Sequence, residues 1–251
     1  GQGGIKTVSV RGLSSNHTSV LYDGVNLFDN QSGQIDLSKY SLSSVSSLSL
    51  ANSQFTPTLP TATSLASANS LSIETKKPEF SLDKKIKEEL SVGYGSFNLF
   101  TLNNYFASQI TKKDILTAFF DLSNTDGKYP YKLHYGASQN YQTERLTRQN
   151  NDLFSTHLET NYFHTFNDKN SLDVKLYYYY SNRGLPSSVT LYYQNSAQRL
   201  WNRNIFFQTS YLSKINKSLS YKNNIKIDYN YTRYKDSHVF TITNGVDDKY
   251  T

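Results

Sequence analysis

From Ile86 onward, apolar and polar residues alternate in long runs separated by turn-forming residues. In 171–180, Leu172, Val174, Leu176, Tyr178 and Tyr180 share one parity, and Asp173 and Lys175 share the other. In 225–232, Ile225, Ile227, Tyr229 and Tyr231 oppose Lys226, Asp228, Asn230 and Thr232. In 154–166, Phe154, Leu158, Tyr162 and Phe166 oppose His157, Glu159 and Asn161. Side chains repeat every second residue along a strand, so each run predicts a strand with one apolar and one polar face. Strands are expected at 86–96, 101–110, 114–124, 153–166, 171–182, 200–212 and 219–234. Their lengths match or exceed the ~9–11 residues of a tilted transmembrane strand, whereas soluble strands are nearer ~5–6.

The connections add a second pattern. Thr111 to Asp114, Asn167 to Asn170 and Lys214 to Lys217 read as tight turns, whereas 125–152 and 183–199 read as long polar loops. Membrane barrels alternate short periplasmic turns with long outer loops. On that parity 97–100, 125–152, 183–199 and 235 onward face outside. A soluble β-sandwich also gives alternating strands, but shorter ones. No fixed repeat period points to a solenoid.

Before residue 78 the chain is rich in Ser, Thr, Asn and Gly, with strand-like pieces at Ile5 to Val10, Thr18 to Tyr22, Val45 to Leu50 and Leu71 to Glu74. Asp23-Gly24 between apolar residues is a hairpin signal. Residues 51–70, with Pro57 and Pro60, read as loop with one short helical turn. The expected division is 1–78 for a first domain and 79–251 for a strand-rich second one.

Composition narrows the class. With 21 Tyr, 14 Phe and one Trp, the chain is aromatic, yet its mean hydropathy is -0.60. A barrel reconciles the two, with aromatics at the membrane interfaces and polar residues toward the lumen. Cys and Met are absent, which removes disulfides and thiolate chemistry. The net charge of +6 comes from Lys and Arg scattered along the chain, so nucleic acid is not an expected partner. No apolar run reaches the ~18 residues of a membrane helix. Gly1 to Lys6 do not resemble a signal peptide. An exported protein needs one, so a missing N-terminus is expected.

A family resemblance rests on an ordered set of motifs. Thr7-Val8-Ser9-Val10-Arg11-Gly12, then Leu21-Tyr22-Asp23-Gly24-Val25, Ser32 to Leu37 and Val45 to Leu50, resemble the plug of TonB-dependent outer-membrane receptors. Asn182-Arg183-Gly184-Leu185-Pro186 resembles a barrel segment of Bacteroidetes receptors, nearest to the cobalamin-receptor-like branch. Residues 50–74 depart from the family pattern by lacking its glycines, although Leu71 to Thr75 fits the closing strand. The resemblance implies a mainly all-β protein. It would comprise the C-terminal part of a plug (1–78), then the first strands, about seven, of a transmembrane antiparallel β-barrel of about 22 strands. It implies energy-coupled import of a scarce bulky nutrient, a metal chelate such as cobalamin or a ferric siderophore. The implied partners are the TonB-ExbB-ExbD complex through a missing N-terminal box, outer-membrane lipid and a surface lipoprotein. The implied location is the outer membrane of a Gram-negative bacterium of the Bacteroidetes.

The resemblance also nominates sites. Ser14, Ser15, Asn16 and His17, with Phe28, Asp29, Asn30, Gln31 and Ser32, fall where plug apices meet ligand; as sequence alone they are polar turns. Tyr129, Tyr131, Tyr135, Tyr192 and Tyr193 on outer loops can stack on a flat ligand or serve as interface and loop-packing residues. Arg11 is a candidate partner for Glu159 across the plug–barrel boundary, because a buried charge needs one; the plainer reading is two unconnected charges. Among Tyr177 to Tyr180, alternate rings are expected to face lipid. The five His lack zinc spacing, so no metal or cofactor is expected, and no catalytic set marks an enzyme. The alternative function is a soluble or surface-attached β-rich adhesion or glycan-binding protein.

Overall fold

The computed structural model describes residues 5–29, 33–52, 60–81, 83–136, 142–188, 196–237 and 246–250. Two sheets dominate it. The smaller consists of β1 (Thr18–Tyr22), β2 (Val25–Asn26), β3 (Val45–Asn52) and β4 (Asn69–Thr75), in the order β2-β1-β4-β3. Asp23 and Gly24 join β1 to β2 with φ of 50° and 77°. Two consecutive left-handed residues make the turn whose twist matches an antiparallel pair. β1 and β4 run parallel, so a crossover must link them. That crossover contains β3 and a short helix, α1 (Ala62–Ala66), capped by the Thr61 hydroxyl. All of β1 is buried, as a strand covered on both faces should be.

The larger sheet begins with β5 (Ile86–Gly95), β6 (Leu99–Gln109) and β7 (Asp114–Thr125). A separate hairpin, β8 (Pro130–Tyr135) with β9 (Gln142–Thr147), follows. The sheet resumes with β10 (Leu153–Asn167), β11 (Asn170–Gly184), β12 (Arg199–Lys214), β13 (Ser220–Asp236) and β14 (Val246–Tyr250). Its eight strands run β14-β13-β12-β11-β10-β7-β6-β5, each antiparallel to its neighbour.

The two faces of this sheet differ as the alternation predicts. Glu159, Asn161, Lys175, Tyr177, Tyr179, Asn204, Phe206 and Gln208 are buried on the side that meets the small sheet. On the other side Leu176 is 53 % exposed and Ile227 is 67 % exposed, alongside Leu90, Val92, Leu158, Phe207 and Ile225. An exposed apolar surface of this extent marks a face that something else covers. The main core is shared between the sheets: Val20, Tyr22, Leu27, Leu71 and Ile73 pack on Tyr177, Tyr179 and Phe206. No helix among the described residues is long and apolar enough to cross a membrane.

Three expectations are corrected. Ile5 to Val10 is not a strand; Val10 makes only an isolated bridge with Leu13 across the Arg11-Gly12 turn. The connection at 97–100 is a tight turn, with Phe97 and Asn98 at φ of 63° and 51°, and β6 already starts at Leu99. The loop 125–152 holds the hairpin β8–β9, which its mixed polar sequence concealed.

Candidate functional site

The hairpin turn after β1 delivers Tyr22 and Asp23 to the boundary between the sheets, and β4 delivers Thr75 beside them. The Asp23 carboxylate accepts from the Thr75 backbone N–H and hydroxyl, each at 2.8 Å. Across the boundary, β10 offers Glu159 and Asn161, and β11 offers Lys175. The Lys175 ammonium lies 2.8 Å from both Asp23 and Glu159. It also donates to the Thr75 hydroxyl at 2.5 Å and sits 3.6 Å from the Tyr22 ring centroid. Glu159 accepts from the Tyr22 hydroxyl at 2.5 Å and from the Asn161 amide at 3.0 Å. The side chains of Tyr22 and Glu159 are sealed from solvent. Two buried charges therefore compensate each other within a closed set of hydrogen bonds, the condition for tolerating them at all. Burial pushes the Tyr22 phenol above its ordinary range, so it stays a neutral donor to Glu159.

Further contacts extend this junction. Gln208 donates to the Tyr22 carbonyl at 3.1 Å, and the Tyr177 hydroxyl donates to the Lys39 carbonyl at 2.5 Å. Tyr40 bridges Tyr22 and Tyr177 at centroid distances of 5.4 and 5.5 Å, and Tyr177 stacks on Phe206 at 4.3 Å. Past β4, Lys76 pairs with Glu89 and Lys77 with Asp173, each at 3.5 Å. The small sheet is thus fastened to the wall from β5 to β12.

The small sheet also has a direction. Its Asp23-Gly24 turn lies toward the short-turn ends of the wall: the Gly24 carbonyl accepts from Asn224 at 3.5 Å, near the start of β13. Phe28 and Asp29 lie farther along that strand, on a cavity of about 920 Å³ whose wall includes Asn202, Lys226 and Asn230. Asp29 pairs with Lys39 at 3.8 Å, and Phe28 is exposed. Ser14 caps a single helical turn, Ser15–His17, that leads into the same end of β1. The nominated apices Ser14, Ser15, Asn16, His17, Phe28 and Asp29 therefore precede or follow the β1–β2 hairpin on the side away from its turn. Asn30, Gln31 and Ser32 lie outside the described residues, as do Tyr192 and Tyr193.

Of the outer-loop tyrosines, Tyr129 and Tyr131 form a ring chain with Phe97, at 5.7 and 6.4 Å. Tyr135 ends β8. Phe97, Tyr129 and Tyr131 pack on one another at the base of the hairpin. The run at 177–180 splits by parity: Tyr177 and Tyr179 are buried against the small sheet, and Tyr178 and Tyr180 take the opposite side.

The proposed Arg11–Glu159 pair is corrected. Arg11 is exposed in a left-handed turn, and no ion pair between it and Glu159 occurs among the described residues. Glu159 instead pairs with Lys175 on its own wall, and the small sheet reaches it through Tyr22 and Thr75. Sequence reasoning had the signal for this and did not combine it. Lys175 shares the polar parity, and the tight turn at Asn167 to Asn170 brings Lys175 into register with Asn161, two residues from Glu159. Asp23 belongs to both the hairpin dipeptide and the plug-like motif, and its side chain also meets Lys175 of the wall. No cluster of metal-ligating side chains occurs among the described residues.

Residues 1–57 match the family model of the TonB-dependent Receptor Plug Domain. No curated protein matches the chain. Proteins with this plug are outer-membrane receptors of Gram-negative bacteria, coupled to TonB for energy. The match covers the first 57 residues and supports a role of the TonB-dependent receptor kind. The mostly β architecture, a small sheet fastened to one face of a long-stranded antiparallel sheet, agrees with a plug followed by barrel strands.

Proposed function

We propose that this chain takes part in energy-coupled import across the outer membrane. In this reading 1–78 is plug and 79–251 is barrel wall. One observation carries it: the segment matching the plug family is packed on the polar face of a sheet whose other face is broadly apolar. A lipid-spanning sheet must close, so β5 and β14, the edges of the described sheet, pair with further strands in the working receptor. The bulky nutrient enters from the long-loop side. It meets the apices Ser14 to His17 and Phe28 to Ser32, with Tyr129, Tyr131, Tyr135, Tyr192 and Tyr193 on the surrounding loops. A metal chelate, a corrinoid or a ferric siderophore, is the substrate class, on the strength of the Bacteroidetes cobalamin-receptor resemblance. TonB with ExbB and ExbD supplies the force, and a surface lipoprotein presents the ligand.

The Lys175–Glu159–Asp23 cluster is the element this force must disturb, since it fastens the plug to the wall. Growth on limiting nutrient tests the reading. A strain lacking the gene is compared with its parent on limiting cobalamin, haem and ferric siderophores, with and without TonB. A TonB-dependent defect on one of them is expected. Equal growth on all of them would remove the metal-chelate class.

A further inference from the structure

The short turns of the wall carry a row of lysines. β6 and β7 are joined through Lys112 and Lys113, β10 and β11 through Asp168 and Lys169, and β12 and β13 through a turn that contains Lys217. Neighbouring strands hold these turns side by side. The Lys113 carbonyl accepts from the Thr165 N–H at 2.9 Å, and the Lys169 carbonyl accepts from the Lys214 N–H at 2.8 Å. Lys112, Lys113, Lys169, Lys214 and Lys217 are all exposed.

Little within the turns balances these cations. The Lys113 ammonium donates to the Phe166 carbonyl at 2.9 Å. Lys112, Lys169 and Lys217 make no side-chain hydrogen bond and no ion pair among the described residues. Of the nearby carboxylates, Asp114 is held by Tyr162 and His164, each at 2.6 Å, and by the Thr111 hydroxyl. Asp168 is the other one in these turns. Like charges on adjacent turns repel, and an anion among them is attracted by each.

The side chains beside the row give that anion its chemistry. Leu158, Phe207 and Ile227 are exposed on the side of the sheet turned away from the plug. By the two-residue period, Tyr162, Tyr211 and Tyr221 share that side and stand nearer the short turns. Phe166 meets Tyr211 edge to face at 6.3 Å, so the aromatic belt runs from β10 across to β12. Ile110, Ile215 and Leu219 are exposed at the turns themselves. Apolar band, aromatic belt and cations follow one another in the order of a bilayer from hydrocarbon to headgroup.

We infer that Lys112, Lys169 and Lys217 bind the phosphate groups of anionic glycerophospholipids in the leaflet on the short-turn side. This rests on the membrane-spanning reading proposed above, in which that leaflet faces the periplasm. An ammonium is a compact cation that meets phosphate as a point charge, without a fixed fork. Three of them on successive turns therefore suit a row of mobile headgroups rather than one rigid ligand. A free phosphate ion or an acidic protein would use the charges. Either would leave the aromatic belt and the exposed Ile215 and Leu219 beside them without a role.

The test uses the full-length receptor purified from outer membranes in non-ionic detergent at low ionic strength. It is titrated with phosphatidylglycerol, with phosphatidylcholine of the same acyl chains, with inorganic phosphate and with a polyglutamate peptide. At roughly fivefold per ammonium, the parent should prefer phosphatidylglycerol over phosphatidylcholine by at least about twentyfold, and high salt should erase most of that preference. Lys169→Gln should weaken phosphatidylglycerol binding about fivefold. The triple variant Lys112→Gln, Lys169→Gln, Lys217→Gln should bind the two lipids alike, and the corresponding Arg triple should keep the preference. A charge-matched control in the long loop, Lys128→Gln, Lys132→Gln, Arg145→Gln, should bind like the parent. Heat-modifiable gel mobility verifies that each variant is folded. The inference is overturned by equal binding of the two lipids to the parent, by an unchanged preference in the folded Gln triple, or by inorganic phosphate binding as tightly as phosphatidylglycerol. Polyglutamate binding more tightly than the lipid, through the same lysines, would assign the row to an acidic protein instead. Any of these results in a heat-modifiable, membrane-inserted receptor rejects this inference alone. A protein left in the aqueous phase on membrane extraction rejects the membrane-spanning reading with it.

Discussion

Lys175 places a full charge where water does not reach, and its partners come from both sheets. Removing the ammonium would leave Glu159 buried and uncompensated, with Asp23 turned toward it. Lys175→Ala is therefore expected to cost about 3–5 kcal/mol, in the range for breaking a buried pair from one side. The double variant Lys175→Met, Glu159→Gln should recover most of that loss, because the sealed carboxylate is gone and the remaining Asp23, 28 % exposed, keeps water and its two Thr75 donors. Denaturant titration of the folded receptor and a double-mutant cycle read both effects; equal losses in the single and double variants would contradict the pairing. Tyr22 adds a pH signature. Burial raises its phenol above the unfolded value of ~10, so its contribution is intact below that pH and is lost as pH rises further. Ultraviolet titration should show its phenolate appearing only with unfolding, and Tyr22→Phe should remove one tyrosine from that late-ionising class.

At the scale of elements, alternation in the sequence located the wall. The expected strand at 114–124 is β7 (Asp114–Thr125), and that at 171–182 is β11 (Asn170–Gly184), because a two-residue period with one apolar side leaves little freedom in where an apolar row begins and ends. A direct consequence concerns Leu176. On a lipid-facing row, Leu176→Arg should destabilise the receptor by ~2–4 kcal/mol if it lies near the bilayer midplane, whereas an exposed position in water would tolerate it. Folding yield into vesicles against denaturant distinguishes the two. The Asp23-Gly24 turn was equally legible, since the dipeptide encodes left-handed backbone. Gly24→Ala should cost about 1–2 kcal/mol for its φ of 77°, and more if Lys222, whose ammonium lies 2.6 Å from the added Cβ, fails to move. The same refolding titration measures it. The hairpin β8–β9 was not legible. Lys132 faces Arg145 and His134 faces Thr143 on one side, so apolar alternation is confined to Tyr131, Leu133 and Tyr135 on a single strand.

For the whole molecule, the pieces that sequence reasoning missed are those that join one sheet to the other. Arg11 was chosen for Glu159 because a motif nominated it, but contact between sheets depends on where β1 and β4 end, and no local pattern reports that. Tyr22 and Thr75 reach Glu159 as the terminal residues of parallel neighbours, which requires the crossover through β3 and α1 to be known first. The same interlocking predicts a functional result. A reducible bis-thiol crosslinker joining Val25→Cys to Asn224→Cys, which stand across the plug–wall boundary where Asn224 bonds to the Gly24 carbonyl, should hold plug to wall and abolish TonB-dependent uptake until a reductant is added, with ligand binding at the outer face retained. Uptake that persists while the bridge is intact would mean that the junction stays closed during transport.

The most direct measurement uses nitroxide spin labels on the full receptor in lipid bilayers. Labels are placed singly at Leu158, Leu176, Phe207 and Ile227, and their collisions with oxygen and with a water-soluble nickel chelate are compared. High oxygen and low nickel accessibility at all four sites is the predicted result, since these side chains would then stand in hydrocarbon. High nickel accessibility at those sites, or exclusion of both reagents as in a packed soluble core, would contradict the lipid-spanning wall on which the account depends.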